Sequence, residues 1–175
     1  GVFSHRARQK EYELQTTVQD TSRTLETRRL ILRPIVESDL EDLYAFHSQP
    51  NVGPAAGWKP HESRQETLEI LRTLFIGQPG MFGIVWRASG RMIGEIGLTG
   101  DAKREYPAAR MLGYAIREEF WNRGIVTEAA RTVVDYGFRQ LDLALISAYC
   151  YPDNHASRRV LEKCGFHYEG TLALC

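Results

Sequence analysis

Residues 110–151 read as an apolar strand (RMLGYAIRE), a glycine-containing turn (FWNRG), a long helix over about residues 126–140, and a second apolar strand (LALISAYCY). Two sequential strands separated by a helix of that length have no tight hairpin available, so within one sheet they run parallel, with the helix crossing over one face. Ala129, Val133, Val134, Tyr136, Gly137 and Leu141 recur on or near one side of that helix, as a buried stripe requires. The segment therefore restricts the chain to a mixed α/β fold.

The flanking segments supply more strands and helices. RRLILRP (28–34) reads as a strand ended by proline, and ESDLEDLYAFHS (37–48) sets Leu40, Leu43 and Phe46/His47 at helical spacing. NVGPAAGWKPH (51–61) reads as loop. Ser63 and Glu66 form a capping-box pattern before the stripe Leu68, Leu71, Leu74 and Phe75. MFGIVWRA and RMIGEIGLT flank Ser89 and Gly90, a pair suited to an antiparallel hairpin. A short helix over 154–163 closes at Gly165, where a left-handed C-cap is expected, and HYEGTLAL (167–174) reads as a last strand.

The 175 residues fit a single domain, 1–175, with residues 1–22 as an N-terminal segment. Formal net charge is zero, which removes the broad electrostatic footprint of a nucleic-acid or anionic-membrane partner and leaves only local basic patches. No apolar run reaches the ~18 residues of a membrane span, and residues 1–20 are too charged for a signal peptide. The three cysteines, Cys150, Cys164 and Cys175, are odd in number and lack CxxC spacing. They argue against a disulfide framework, and a cytoplasmic protein is expected. His155 and His167 read as structural or exposed, and no spacing predicts a metal site.

EEFWNRGIVTEAA follows a strand and opens a helix, so the N–H groups of residues 122–127 are free donors aimed into one small volume. Arg123 adds charge, Gly124 allows close backbone approach, and Thr127 offers a hydroxyl; together they suit a diphosphate-bearing ligand, the alternative being an ordinary helix start beside a chance glycine and arginine. A nucleotide-binding domain is disfavoured because no GxxxxGK[ST] loop is present.

The second informative block, PDNHASRRVLEKCGF, lies one strand later. WNRGIVTEA resembles the acyl-CoA pyrophosphate loop of GNAT acetyltransferases, and N-x-x-S-x-R-V-L-E-K-C-G-F resembles their last helix. ETRRLILRP, ESDLEDLY and GWKPHES are similar to the RimJ/RimL-like, ribosomal-protein N-acetyltransferase branch, and the likeness spans about residues 24–172. The chain departs from the general superfamily loop in having Trp121 in its first place, Asn122 in place of a frequent glycine, and Val126 in its sixth.

The resemblance implies a mostly antiparallel central sheet with flanking helices, splayed between the fourth strand (110–118) and the fifth (143–151). Pantetheine would insert in that gap and pair with backbone groups of Tyr114 and Ile116. The pyrophosphate would rest on Trp121, Asn122, Arg123, Gly124, Val126 and Thr127, and Asn154 would hold the pantetheine arm. The cosubstrate implied is acetyl-CoA, the acceptor a primary amine, and no metal is needed. A strand-four N–H near Tyr114 to Ile116 would polarise the thioester carbonyl.

Many relatives place a tyrosine on the last helix to protonate the departing thiolate; here that stretch reads VLEK, so Ser157, one turn after Asn154, takes the role by resemblance. The alternative is a cap or surface serine. Glu95 is the candidate base, through water or directly, unless it lies on the solvent face of its hairpin. Trp58 and His61 would line the acceptor pocket or serve an ordinary loop role. Cys150 is either a cleft residue or a small buried one. The acceptor is open among protein N-termini, amino acids, other small amines and antibiotics. A non-catalytic acyl-CoA-binding module is the competing class, and a homodimer is the default assembly.

Relatives usually continue past the sixth strand into a seventh, whereas this sequence stops at Cys175. An open slot beside the fifth strand would expose unpaired backbone. The N-terminal stretch VFSHRARQKEYELQTTV resembles what normally follows the sixth strand, so a permuted order is expected. Tyr12, Leu14, Thr16 and Val18 alternate as a strand would and would fill the slot; the alternative is a leader without a strand.

Overall fold

The computed structural model describes residues 1–7, 24–101, 103–104 and 106–172. Its strands are β1 (Val2–Arg6), β2 (Leu25–Glu26), β3 (Leu30–Arg33), β4 (Met81–Trp86), β5 (Arg91–Gly100), β6 (Ala109–Ile116), β7 (Leu145–Tyr149) and β8 (His167–Gly170). The helices are α1 (Leu40–His47), α2 (Val52–Ala56), α3 (Arg64–Ile70), α4 (Ile125–Arg139) and α5 (His155–Lys163). The strands form one sheet in the order β2-β3-β4-β5-β6-β7-β1-β8. Every pairing is antiparallel except β6 with β7, the pair joined by the α4 crossover that the sequence demanded.

Each face of the sheet carries its own core. Ile96, Leu98, Leu112 and Ile146 pack under α4 with Ala129, Ala130 and Val133. On the opposite face, Val85, Met92 and Ala115 pack against Leu43, Phe46 and Leu71 of the α1–α3 layer. Alternating side chains along a strand produce this division. Thus Tyr114 joins the α4-side core while its neighbour Ala115 joins the other.

The permuted order is present, and the segment that creates it is β1. Val2–Arg6 lies between β7 and β8, antiparallel to both, with Phe3 opposite Ala148 on one side and Tyr168 on the other. Phe3 is 1% exposed and meets the Tyr168 ring edge-on at 5.5 Å. The strand expected at residues 12–18 lies outside the described residues. Residues 51–61 differ from the expected loop by containing α2. Its Pro54 falls in the first turn, where a missing N–H costs no helical bond. Among the described residues, no helix is long and apolar enough to cross a membrane.

Candidate active site

The parallel pairing of β6 with β7 runs from Ala109↔Leu145 to Leu112↔Ala148 and then stops. β6 continues to Ile116, bonded only to β5, while β7 stays with β1. Past Leu112 and Ala148 the two strands therefore diverge, as the resemblance implied. The Arg117 amide donates to Ile93 O on the β5 side, so the two-residue alternation of a strand turns the backbone groups of Tyr114 and Ile116 toward the gap. The Ile116 carbonyl is taken by the Trp121 indole N–H at 3.0 Å; the facing N–H groups of Tyr114 and Ile116 lack a β7 partner.

A cavity of ≈ 1060 Å³ fills the gap and extends to the start of α4. Its wall includes Tyr114, Ile116, all of residues 121–127, Cys150, Asn154 and Ser157. Among the described residues, no amide from Asn122 to Thr127 is hydrogen-bonded to the protein. Asn122 (φ 58) and Gly124 (φ 71) both adopt left-handed backbone, which curls the turn so that successive N–H groups face one concavity. The described lining also carries Lys103, Arg123, Arg159 and Lys163 and no carboxylate. A chain of zero net charge thus concentrates positive charge where a polyanion would sit.

A brace from the far edge of the sheet holds this turn. Glu128, in the first turn of α4, accepts from the Thr27 hydroxyl, from the Arg29 amide at 3.0 Å and from Arg29 Nε at 2.8 Å. Arg29 Nη1 in turn donates to the Arg123 carbonyl at 3.0 Å. Burial would raise the Glu128 carboxyl, but the bonds from Thr27 and Arg29 outweigh it and hold it below its ordinary value. The Arg123 guanidinium lies over Trp86 at 5.2 Å and Phe120 at 5.1 Å. No local sequence signal links Glu128 to residues about a hundred positions earlier.

On the opposite wall, Asn154 caps α5, its Oδ1 accepting from the Ser157 amide at 3.1 Å. The Ser157 hydroxyl is hydrogen-bonded to the Tyr114 phenol. Burial pushes that phenol up to about 12, against the lowering effect of Ser157. α5 itself carries no tyrosine, but a tyrosine side chain from β6 reaches Ser157 there. Its shared parity with Leu112 and Ile116 was the available signal. Cys150 lines the cavity, and burial raises its thiol.

Glu95, Trp58 and His61 are placed differently. None lines the cavity. Glu95 is 7% exposed, which excludes the solvent face of the hairpin, and its Oε2 is 2.8 Å from His47 Nε2. His47 stacks on Trp58 at 4.6 Å, and its Nδ1 is buried without a hydrogen-bond partner among the described residues. His61 Nδ1 bonds the Thr67 hydroxyl at 2.8 Å, and burial, reinforced by His47, lowers its imidazole. This cluster approaches the cavity wall through Ala115, the cross-strand partner of Glu95, through Gly57, the neighbour of Trp58, and through Val52, which packs in the same core.

Comparison with known proteins agrees with this geometry. Residues 29–167 match the Acetyltransferase (GNAT) domain. The chain is 37% identical over 152 residues to the uncharacterized N-acetyltransferase YoaA of Bacillus subtilis, covering 85% of each chain. Its fold matches a ribosomal-protein-S5-alanine acetyltransferase from Vibrio fischeri (TM-score 0.65, 24% identity, 84% of each chain). It also matches a spermidine N-acetyltransferase from Vibrio cholerae solved with CoA and spermine (TM-score 0.71, 23% identity, 83% of this chain and 85% of that one). A splayed parallel pair, a free-amide turn at its mouth and a domain match over most of the chain make this protein a member of the GNAT acetyltransferase family.

Proposed function

We propose that this chain transfers the acetyl group of acetyl-CoA to a primary amine by direct attack, without a covalent enzyme intermediate. The observation that carries the reading is the set of unbonded amides from Asn122 to Thr127 at the mouth of a gap whose β6 edge is unpaired. Acetyl-CoA supplies a thioester carbonyl as electrophile and a thiol as leaving group. The amides, with Arg123 and the Thr127 hydroxyl, hold the diphosphate. The free edge at Tyr114 and Ile116 pairs with the amide-bearing arm and directs an N–H at the carbonyl. Asn154 both caps α5 and borders the arm.

Ser157, bonded to Tyr114, delivers a proton to the departing sulfur; a phenol pushed up to about 12 stays protonated at neutral pH and remains a donor. Glu95, beside His47, takes the proton of the amine through water at the Ala115 position, because the carboxylate itself does not reach the cavity wall. Trp58 and His61 back the acceptor side from behind α2. The acceptor is a protein N-terminus or a small amine, the latter favoured by the likeness to a fold solved with spermine. A cytoplasmic location accords with the cysteine pattern.

Thermal-shift titration with acetyl-CoA, followed by CoA release over an amine panel, tests the reading. Stabilisation by acetyl-CoA together with CoA release that depends on added amine supports it. Binding without release for any amine would leave an acyl-CoA-binding module instead.

A further inference from the structure

The end of β7 carries a second arrangement that the transfer chemistry does not use. Tyr149, one residue past the last pairing of β7 with β6, lines the cavity at the apex of the gap. Its hydroxyl donates to Asp101 Oδ2 at 2.9 Å, beside a second bond to that oxygen from Ser147. Asp101 is 7% exposed and also accepts from the Lys103 amide at 3.0 Å. Arg104 approaches Asp101 at 3.7 Å but is bonded to Glu169. Arg104 also acts on the Tyr149 phenol and Arg6 on Glu169, so Asp101 is the carboxylate that directly backs the Tyr149 ring.

Against that ring lies the Lys103 ammonium, 4.6 Å from its centroid. Among the described residues, Lys103 Nζ makes no ion pair and no hydrogen bond; its backbone is pinned by Asp101 and its exposed side chain rests on the aromatic face. A phenol that donates to a carboxylate carries extra electron density on its ring, which strengthens attraction for a cation. Lys103 also lines the cavity, so it occupies, from the chain itself, a place that a substrate cation could take.

We propose that the Tyr149 face, backed by Asp101, seats the ammonium group of the acceptor, that Lys103 fills this seat until an acceptor displaces it, and that the acceptor is therefore an aliphatic primary amine on an unbranched chain. This deepens the proposed acetyl transfer and rests on it. The unbranched tetramethylene arm of Lys103 defines the shape that the seat accepts. An α-amine, whose carbon is branched and flanked by a peptide bond, is a poorer fit. Only the seating is assigned to Tyr149 and Asp101; removal of the proton stays with the base described above.

The test is calorimetric binding of n-butylammonium, 1,5-diaminopentane, Nα-acetyl-lysine methylamide and alanine methylamide, each with and without saturating CoA. The three alkylammonium probes are expected to bind more tightly than alanine methylamide, and the lysine and diamine arms separate a side-chain acceptor from a small polyamine. Lys103→Ala should tighten the alkylammonium probes, and Tyr149→Leu should weaken them, each about threefold to thirtyfold, the span of a cation–π contact. Because Lys103 is exposed, its variant remains informative even if Tyr149→Leu does not fold. Absence of alkylammonium binding, indifference to the Lys103 substitution, or preference for alanine methylamide would overturn the proposal. Acetyl-CoA binding and CoA release are scored separately: loss of those sinks the acetyl-transfer reading, whereas amine-dependent release with an unselective seat sinks only this one.

Discussion

The Tyr114 phenol, on β6, and the Ser157 hydroxyl, on α5, are hydrogen-bonded to each other across the wall of the cavity, although 43 residues separate them in the chain. Neither residue alone is a strong acid at neutral pH; linked, they form a donor that burial keeps protonated.

If the pair works as one relay, Tyr114→Phe and Ser157→Ala will each slow CoA release by about 100-fold or more, the usual size for lost proton transfer. The double variant will then fall little further, because residues acting as a unit are not additive. Multiplying losses would instead mean two independent roles. With its phenol pushed up to about 12, Tyr114 contributes no loss of rate between pH 7 and roughly 10.

Gly124 sets the curl of the free-amide turn with φ 71. The nearest atom to an added Cβ there would be Arg29 Nη2 at 3.6 Å, so Gly124→Ala meets no clash and its cost is conformational, about 1 kcal/mol or more. Acetyl-CoA affinity measured by calorimetry should fall roughly fivefold or more. Gly124→Asn should recover most of it, since asparagine tolerates the left-handed region; equal losses in both would place the effect in sterics instead.

Glu128 gives the brace a pH signature. Its carboxyl lies below the ordinary value in the folded chain, so its contribution is complete above the unfolded value and disappears as pH falls through the lower, folded one. The wild type should therefore lose thermal stability more steeply than Glu128→Gln as pH drops below about 4.5. At pH 7 the Gln variant should be the less stable of the two. Parallel stability curves from pH 7 to 3 would show that the brace is not ionic.

The sequence disclosed those parts of the site that depend on local backbone. A helix start after FWNRG leaves its amides free whatever packs around it, and the amides of residues 122–127 have no hydrogen-bond partner among the described residues. It also disclosed the α4 crossover, because no other connection makes β6 and β7 neighbours. It did not disclose that Val2–Arg6 is the inserted strand. Five residues with apolar side chains only at Val2 and Phe3 have little strand pattern, and an open slot in the sheet supplies the rest. The short α2 was hidden by Gly53 and Pro54, which read as loop until packing selects the helix. The His47–Glu95 and Arg29–Glu128 contacts join distant segments, so neither has a local signature.

The inserted strand should matter to the whole core. Phe3 is 1% exposed and packs in the α4-side cluster, so Phe3→Ala should cost about 3–5 kcal/mol and lower the thermal midpoint by roughly 10 °C. A shift of only a degree or two would mean that β1 docks without bearing on the core.

Glu95 presents the sharpest test of the proposed base, because its hydrogen bond with His47 can survive the loss of its charge. A glutamine at this position still offers an oxygen to His47 Nε2, now 2.8 Å from the carboxylate, and leaves the β5–β6 pairing with Ala115 untouched. Glu95→Gln should therefore fold with a thermal midpoint within a few degrees of the wild type. If Glu95 receives the amine's proton through water, CoA release should nevertheless fall about 100-fold, while acetyl-CoA binding remains. If Glu95 only anchors His47 under Trp58, turnover will follow stability and stay near the wild-type rate. Steady-state kinetics beside a melting curve separates the two outcomes, and near-normal turnover in the folded variant would move the base from Glu95 to a residue that does line the cavity.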